Sequence, residues 1–260
     1  MAVSHNSANA DVLDSGTSIS VPVVVVAGNN KVAMIGISWS PVVDAALDTV
    51  TFNSQSATFI QATSDGVAGF VEQYFVVGVT AGVKTAVVTF TIGHSDVVAI
   101  VGIEVLNDVK QTGTIGAKST ASGNTTSPST LVSSLSADSL VVDTVTVDET
   151  VSLTSLAVGA GQTERWNLHA GVPPPLRYQG AASTEPSNGS SVTMSWLIGV
   201  ARTWAIAAVE FLFEPPAPTV RLGGYTSYDY FDDPTPIESY RLEEVQQRIW
   251  AGDRRYMRDD

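Results

Sequence analysis

The 260-residue chain carries 26 Asp and Glu against 13 Lys and Arg, a formal net charge of −13, and has no cysteine. Its lysines, Lys31, Lys84, Lys110 and Lys118, are widely spaced, so the body of the chain lacks the clustered cations that a nucleic-acid surface needs. Disulfide staples and thiolate metal sites are excluded as well, and a chain dominated by Val, Thr, Ser, Ala and Gly reads as all-β.

Residues 1–15 are small and polar and read as an N-terminal lead-in. They lack the basic-then-apolar pattern of a Sec signal, and the apolar run at 21–27 is interrupted by Pro22 and is too short to span a bilayer, so no membrane insertion is expected. Residues 17–26 are strand-patterned, Gly28-Asn29-Asn30 reads as a turn, and 31–39 as the returning strand. Short β runs follow at 49–52, 57–62 and 69–77. Residues 86–106, AVVTFTIGHSDVVAIVGIEVL, then read as a hairpin, with apolar, β-branched arms around a Gly-led connection.

Beyond the Gly/Thr/Ser-rich stretch 107–127, β runs recur at 151–158, 163–168 and 177–183, with Pro173 to Pro175 stiffening the loop between the last two. A second hairpin, VTMSWLIGVARTWAIAAVEFL at 192–212, falls on the first without a gap at a shift of 106 (205 − 99 = 106): Phe90 on Trp196, Gly93 on Gly199, Glu104 on Glu210. At the same shift Pro22 falls on Pro128 and Met34-Ile35 on Leu140-Val141. In 204–213 both faces are apolar, so the strand needs cover on both sides, from a two-sided sheet or from another body. The expectation is one double-layered antiparallel β-sandwich over residues 16–214, jelly-roll-like and internally duplicated, with Glu104 and Glu210 at strand ends reaching water; two separate small sandwiches are the alternative, against which stands the lack of a clear linker between the halves.

At Pro215-Pro216-Ala217-Pro218 the paired strands must stop, and residues 215–260 read as an extended arm and a short helix. Thr235-Pro236-Ile237-Glu238 is a capping box with proline at the first helical position, and Leu242, Val245 and Ile249 make an apolar stripe. So short a helix is not stable alone. With Tyr225, Tyr228, Tyr230, Phe231 and Trp250, residue types that anchor interfaces, this stripe is the expected partner-binding surface.

A search for chemistry yields no assignable catalytic, cofactor or metal residue. His5, His94 and His169 lie at no metal-ligand spacing and read as solvated loop residues, and HExxH, GxSxG and SxxK are absent. Gly159-Ala160-Gly161 lies between β runs and reads as a turn. Glu164, Glu185, Glu104 and Glu210 could in principle supply a hydrolytic carboxylate pair, and Asp143, Asp148 or Asp232-Asp233 a Ca²⁺ site, but none has the motif of either. Of the tryptophans, Trp196 and Trp204 fit core positions. Trp166, beside Glu164, Arg165 and Asn167, is the candidate for stacking on a sugar ring.

Several strings, GTSISVPVVVVAGNNKVAMIGISW, VTFNSQSATFIQAT, TIGAKSTASGNTTSPS, LVVDTVTVD, VGAGQTERWN and STEPSNGSSVTMSWLI, together with the first hairpin, resemble a widespread jelly-roll-like β-sandwich domain family of bacterial surface and phage virion-associated proteins. The resemblance covers about residues 15–213 and lies in the order of the motifs. It implies a non-catalytic module. A compact sandwich joined to an anchoring arm resembles the plan of phage virion accessory proteins, which implies a decoration, head-fibre or tail-associated subunit. Its partners would be other virion proteins or copies of itself in a homo-oligomer, and its location the virion, assembled in the host cytoplasm. The alternatives are a carbohydrate-binding or adhesive module of an extracellular surface, with Trp166 near a host glycan, and a glycan-active enzyme.

Overall fold

The computed structural model describes residues 2–40, 46–66, 69–91, 97–148, 155–171 and 178–215. The first hairpin's connection, the Pro173 to Pro175 loop, and the arm and helix expected beyond Pro215 lie outside the described residues. Every regular element among the described residues is a strand. The first half holds β1 (Ser4–Leu13), β2 (Ser18–Val25), β3 (Val32–Ser40), β4 (Ala46–Phe52), β5 (Gln55–Ser56), β6 (Thr58–Ser64), β7 (Phe70–Val77), β8 (Gly82–Thr91) and β9 (Val98–Asn107). The second holds β10 (Ile115–Thr125), β11 (Ser129–Ser133), β12 (Leu140–Asp148), β13 (Leu156–Val158), β14 (Thr163–Ala170), β15 (Tyr178–Pro186), β16 (Ser191–Ile198) and β17 (Arg202–Phe211).

Two kinds of strand sort these elements into layers. β2 alternates, with Ile19, Val21, Val23 and Val25 buried and Ser18, Ser20, Pro22 and Val24 exposed, the pattern of a sheet with one wet face. It is also an edge strand, where Pro22 costs no ladder bond. β3, β9, β12 and β17 are buried along almost their whole length and need cover on both faces.

The result is four antiparallel sheets. In the first half a large sheet, β1-β9-β3-β7-β6, packs on a small one, β2-β8-β4-β5. In the second half β10-β17-β12-β15-β14 packs on β11-β16-β13. The two large sheets then meet face to face, burying Val32, Met34, Ile60 and Leu106 against Leu140, Val142, Val209 and Phe211. Residues Met1–Pro216 form one compact unit. The single double-layered sandwich expected from the strand pattern is therefore corrected to two sandwiches stacked in four layers. The cause is the doubly apolar inner strands: a lone two-layered sandwich would leave one face of each large sheet in water, at roughly 25 cal/mol per Å² of apolar surface.

The two halves share one strand order, with β10, β17, β12, β15 and β14 standing where β1, β9, β3, β7 and β6 stand. Their registers agree only in part with the shift of 106. β8 and β16 keep their faces, since Ala86, Val88 and Phe90 point into the first core and Val192, Met194 and Trp196 into the second. β9 and β17 exchange theirs. Ala99, Val101 and Ile103 face their own sandwich core, whereas Ala205, Ala207 and Val209 face the layer between the sandwiches. In a strand a slip of one residue moves every side chain to the opposite face, so Glu104 and Glu210 do not hold equivalent places.

Polar groups stitch the large sheets together. Gln61 Nε2 donates to Gln73 Oε1 (2.8 Å) and to the carbonyl of Ala208 (2.9 Å). Gln73 Nε2 donates to Thr144 Oγ1 (3.3 Å) and the carbonyl of Ala207 (3.1 Å). Ser40 Oγ donates to Tyr178 Oη at 3.0 Å, and the Gly171 amide to Asp14 Oδ1 at 2.8 Å. Thr144 lies directly over Gly36, and Gly180 over Ser38, so that a side chain at either glycine would collide with the opposite sheet.

Candidate functional site

The chemistry-bearing groups of the described residues gather in and beside this seam. On the first large sheet, antiparallel pairing puts Ala8, Glu104 and Met34 in one row, and Met34 belongs to the seam. The Glu104 carboxyl is therefore aimed at the second sandwich. The next row toward β9's start contains Gly102, and the indole ring of Trp166 packs against it from β14. His5, paired with Leu106, faces the same layer from β1.

A local irregularity supplies the opposing groups. The β14–β15 register shifts between Glu164 and Trp166, and such a bulge breaks the alternation and re-aims side chains. Arg165 occupies the bulge and donates from Nε (2.8 Å) and Nη2 (2.7 Å) to Thr184 Oγ1 on β15. Burial depresses its basicity, offset by the nearby Glu104.

Glu104 is fully buried, and neither of its oxygens finds a hydrogen-bond partner among the described residues. Trp166 Nε1 and His5 Nε2 are in the same condition. Burial, reinforced by the charge of Asp143, raises the Glu104 carboxyl well above the carboxylate range, with Arg165 opposing. Burial and then Arg165 lower His5 to about 4. His5 is therefore uncharged at neutral pH, and burial favours the neutral form of Glu104, which is how isolated buried groups avoid the cost of a bare charge.

Two further buried acids are fully served. Asp143 points into the second sandwich, where Oδ1 accepts from the Ser183 amide (2.6 Å) and hydroxyl (2.9 Å) and Oδ2 from Trp196 Nε1 (2.8 Å). Burial pushes its carboxyl up to about 7, while these three donors pull the other way. A carboxyl raised on folding stabilises the protein fully below its unfolded value and loses that contribution as pH climbs to the folded value. The melting temperature is thus expected to fall by several degrees between about pH 4 and about pH 7. Calorimetry across that range checks this. Glu210 Oε1 accepts from the Ser136 amide and the Ser139 hydroxyl, each at 2.6 Å, and Oε2 from the Ala117 amide at 2.9 Å.

These placements revise the sequence expectations residue by residue. Glu104 and Glu210 do not reach water: they are 0% and 1% exposed. The four glutamates weighed as a hydrolytic pair do not converge on a common opening. Glu104 faces the seam, Glu210 the end of the second sandwich, Glu185 the turn at Gly161, and Glu164 an exposed part of β14. Asp143 is committed to Ser183 and Trp196. His5 and His169 both belong to strands, β1 and β14, and not to loops, although His169 is exposed as expected.

Trp166, the sugar-stacking candidate, is 6% exposed and spends its ring on Gly102, leaving no open face for a sugar. Trp196 and Trp204 are core residues as expected, and Gly159-Ala160-Gly161 is a turn. Trp39, Trp196 and Trp204 donate to Glu72, Asp143 and Thr125, so among the described tryptophans Trp166 stands apart in its unpaired N–H. His94 and the partner-binding set Tyr225, Tyr228, Tyr230, Phe231, Leu242, Val245, Ile249 and Trp250 lie outside the described residues.

No group of three or more His, Cys, Asp or Glu suited to a metal is found among the described residues, and no helix there is long and apolar enough to cross a membrane. The chain matches no family model, no curated protein and no solved structure.

Proposed function

We propose that the chain is a non-enzymatic structural subunit of a phage particle, of the decoration, head-fibre or tail-associated kind, fastened to a larger assembly by residues 215–260. The observation carrying this reading is the division of the chain into Met1–Pro216 and Ala217–Asp260, which falls where Pro215-Pro216-Ala217-Pro218 ends the strands. The first unit turns the facing sides of its large sheets and the Asp143 and Glu210 carboxyls to holding itself together. The second carries the aromatic and amphipathic residues suited to a partner.

Within the first unit, we read the order β1-β9-β3-β7 against β2-β8-β4-β5, repeated as β10-β17-β12-β15 against β11-β16-β13, as a duplicated jelly roll. The shared order and the matching faces of β8 and β16 support it.

The test compares the full chain with residues 1–216 by light scattering and by co-sedimentation with phage particles that encode it. The shortened chain should melt as the full body does and fail to join the particle or to self-associate. Undiminished assembly of residues 1–216, or glycan-array binding by that body alone, would overturn the reading.

A further inference from the structure

We infer that the seam between the two sandwiches is a pH-operated latch, closed while Glu104 keeps its proton and loosened when it loses it. The inference does not depend on the proposed role in a particle.

The placement of Glu104 carries it. The residue lies on a central strand of one large sheet, and its carboxyl faces the other sandwich across the layer that joins them. It is fully buried and takes no hydrogen bond from the described residues, so no hydrogen bond there compensates an ionised carboxylate. Such a charge does not stay in an apolar layer at small cost: either the proton remains or the layer opens.

The groups packed around Glu104 work in both directions. From β1, His5 is uncharged above about pH 4 and adds no cation at neutral pH. On β14, Arg165 is the one nearby cation among the described residues, and its Nε and Nη2 donate to Thr184 and not to Glu104. Asp143 on β12 opposes ionisation, and Glu185 on β15 acts on Asp143 in the same sense. The neighbours on β9's flanks, Ala8 and Met34, carry no charge.

The sign follows directly. Because folding raises the Glu104 value, its neutral form supports the closed seam fully below the ordinary carboxylate range, and the support fades as pH rises through the folded value. Asp143 loses its contribution over a window ending near 7, so single variants at the two acids are needed to separate their effects.

The experiment follows the full chain, its Glu104→Gln variant and its Asp143→Asn variant from about pH 5 to about pH 9 by calorimetry and small-angle X-ray scattering. In the native chain the melting temperature should fall across the range and the radius of gyration should grow at its alkaline end. Glu104→Gln, a neutral isostere, should remove at least about half of the fall and all of the growth. Asp143→Asn should leave the growth in place. An infrared band of a protonated carboxyl in native protein at neutral pH, absent from Glu104→Gln, gives a readout that does not depend on stability. An unchanged pH response in Glu104→Gln would overturn the latch. So would a falling melting temperature at constant radius, since the acid would then affect the body as a whole and not the seam.

Discussion

Replacing Glu210 by alanine should cost about 4–6 kcal/mol of stability, the largest loss expected from a single polar substitution in this body. Three donors converge on this one carboxylate: the Ala117 amide at the start of β10, and the Ser136 amide and Ser139 hydroxyl in the turn before β12. The Ser139 hydroxyl would be left without an acceptor in a buried place, and the Ala117 and Ser136 amides in partly buried ones, at about 1–3 kcal/mol apiece. Without it, β10 and the β11–β12 turn would lose a carboxylate that ties both. Glu210→Gln separates charge from geometry. Its Oε1 can still serve Ser136 and Ser139, but its amide nitrogen would then face the Ala117 N–H, donor against donor, and about half of the loss should remain. Urea unfolding of the two variants, analysed with a common slope, distinguishes these outcomes. Equal stability of native protein and Glu210→Ala would remove the clamp from the account.

Gly102→Ala should destabilise the body by about 3 kcal/mol or more, although the substitution adds a single methyl group to a strand. The added Cβ would fall well inside van der Waals contact with the indole of Trp166. The ring has nowhere to retreat, because it is buried between the large sheets with Ile100, Ala170, Tyr178 and Ala182. Trp166→Leu alone should cost less than the roughly 3–5 kcal/mol of a full truncation to alanine, since part of the apolar volume is kept. In the Trp166→Leu background, however, Gly102→Ala should cost little. A double-mutant cycle reads this as a coupling of about 2 kcal/mol or more. Additive losses would mean that Gly102 and Trp166 do not set the spacing of the seam.

Much of this arrangement was legible in the strands themselves. The unbroken apolar runs of β9 and β17 state that both faces are covered, and the alternation of β2 states that one is not. The class of fold and the need for a further packed body follow from those two patterns. A solitary acid in such a run, Glu104 in VAIVGIEVL or Asp143 in LVVDTVTVD, is also a visible signal: with both faces buried, it cannot reach water. The apparent repeat at a shift of 106 hid that signal by placing Glu104 and Glu210 in register and inviting one explanation for both.

The rest depended on facts that periodicity does not carry. Which face of β9 meets its own core and which meets the other sandwich is fixed by register, and one residue of slip in a connection reverses it. The bulge at Arg165 breaks the alternation of TERWNLHA, so Trp166 reads from sequence as an exposed neighbour of polar residues when it is a seam residue. His5 looks like part of a loose polar lead-in because β1 is almost free of apolar residues at its start. It is a strand only because β9 offers it an edge.

Among the described residues each ladder is confined to its own half: β1 to β9 pair among themselves, as do β10 to β17. During synthesis on a ribosome, the first sandwich has all of its strands once residue 107 has emerged, while the second cannot close until β17 follows about a hundred residues later. Throughout that interval Met34, Ile100 and Leu106 stand uncovered on a finished sheet, a nascent sticky surface whose natural cover is still being made.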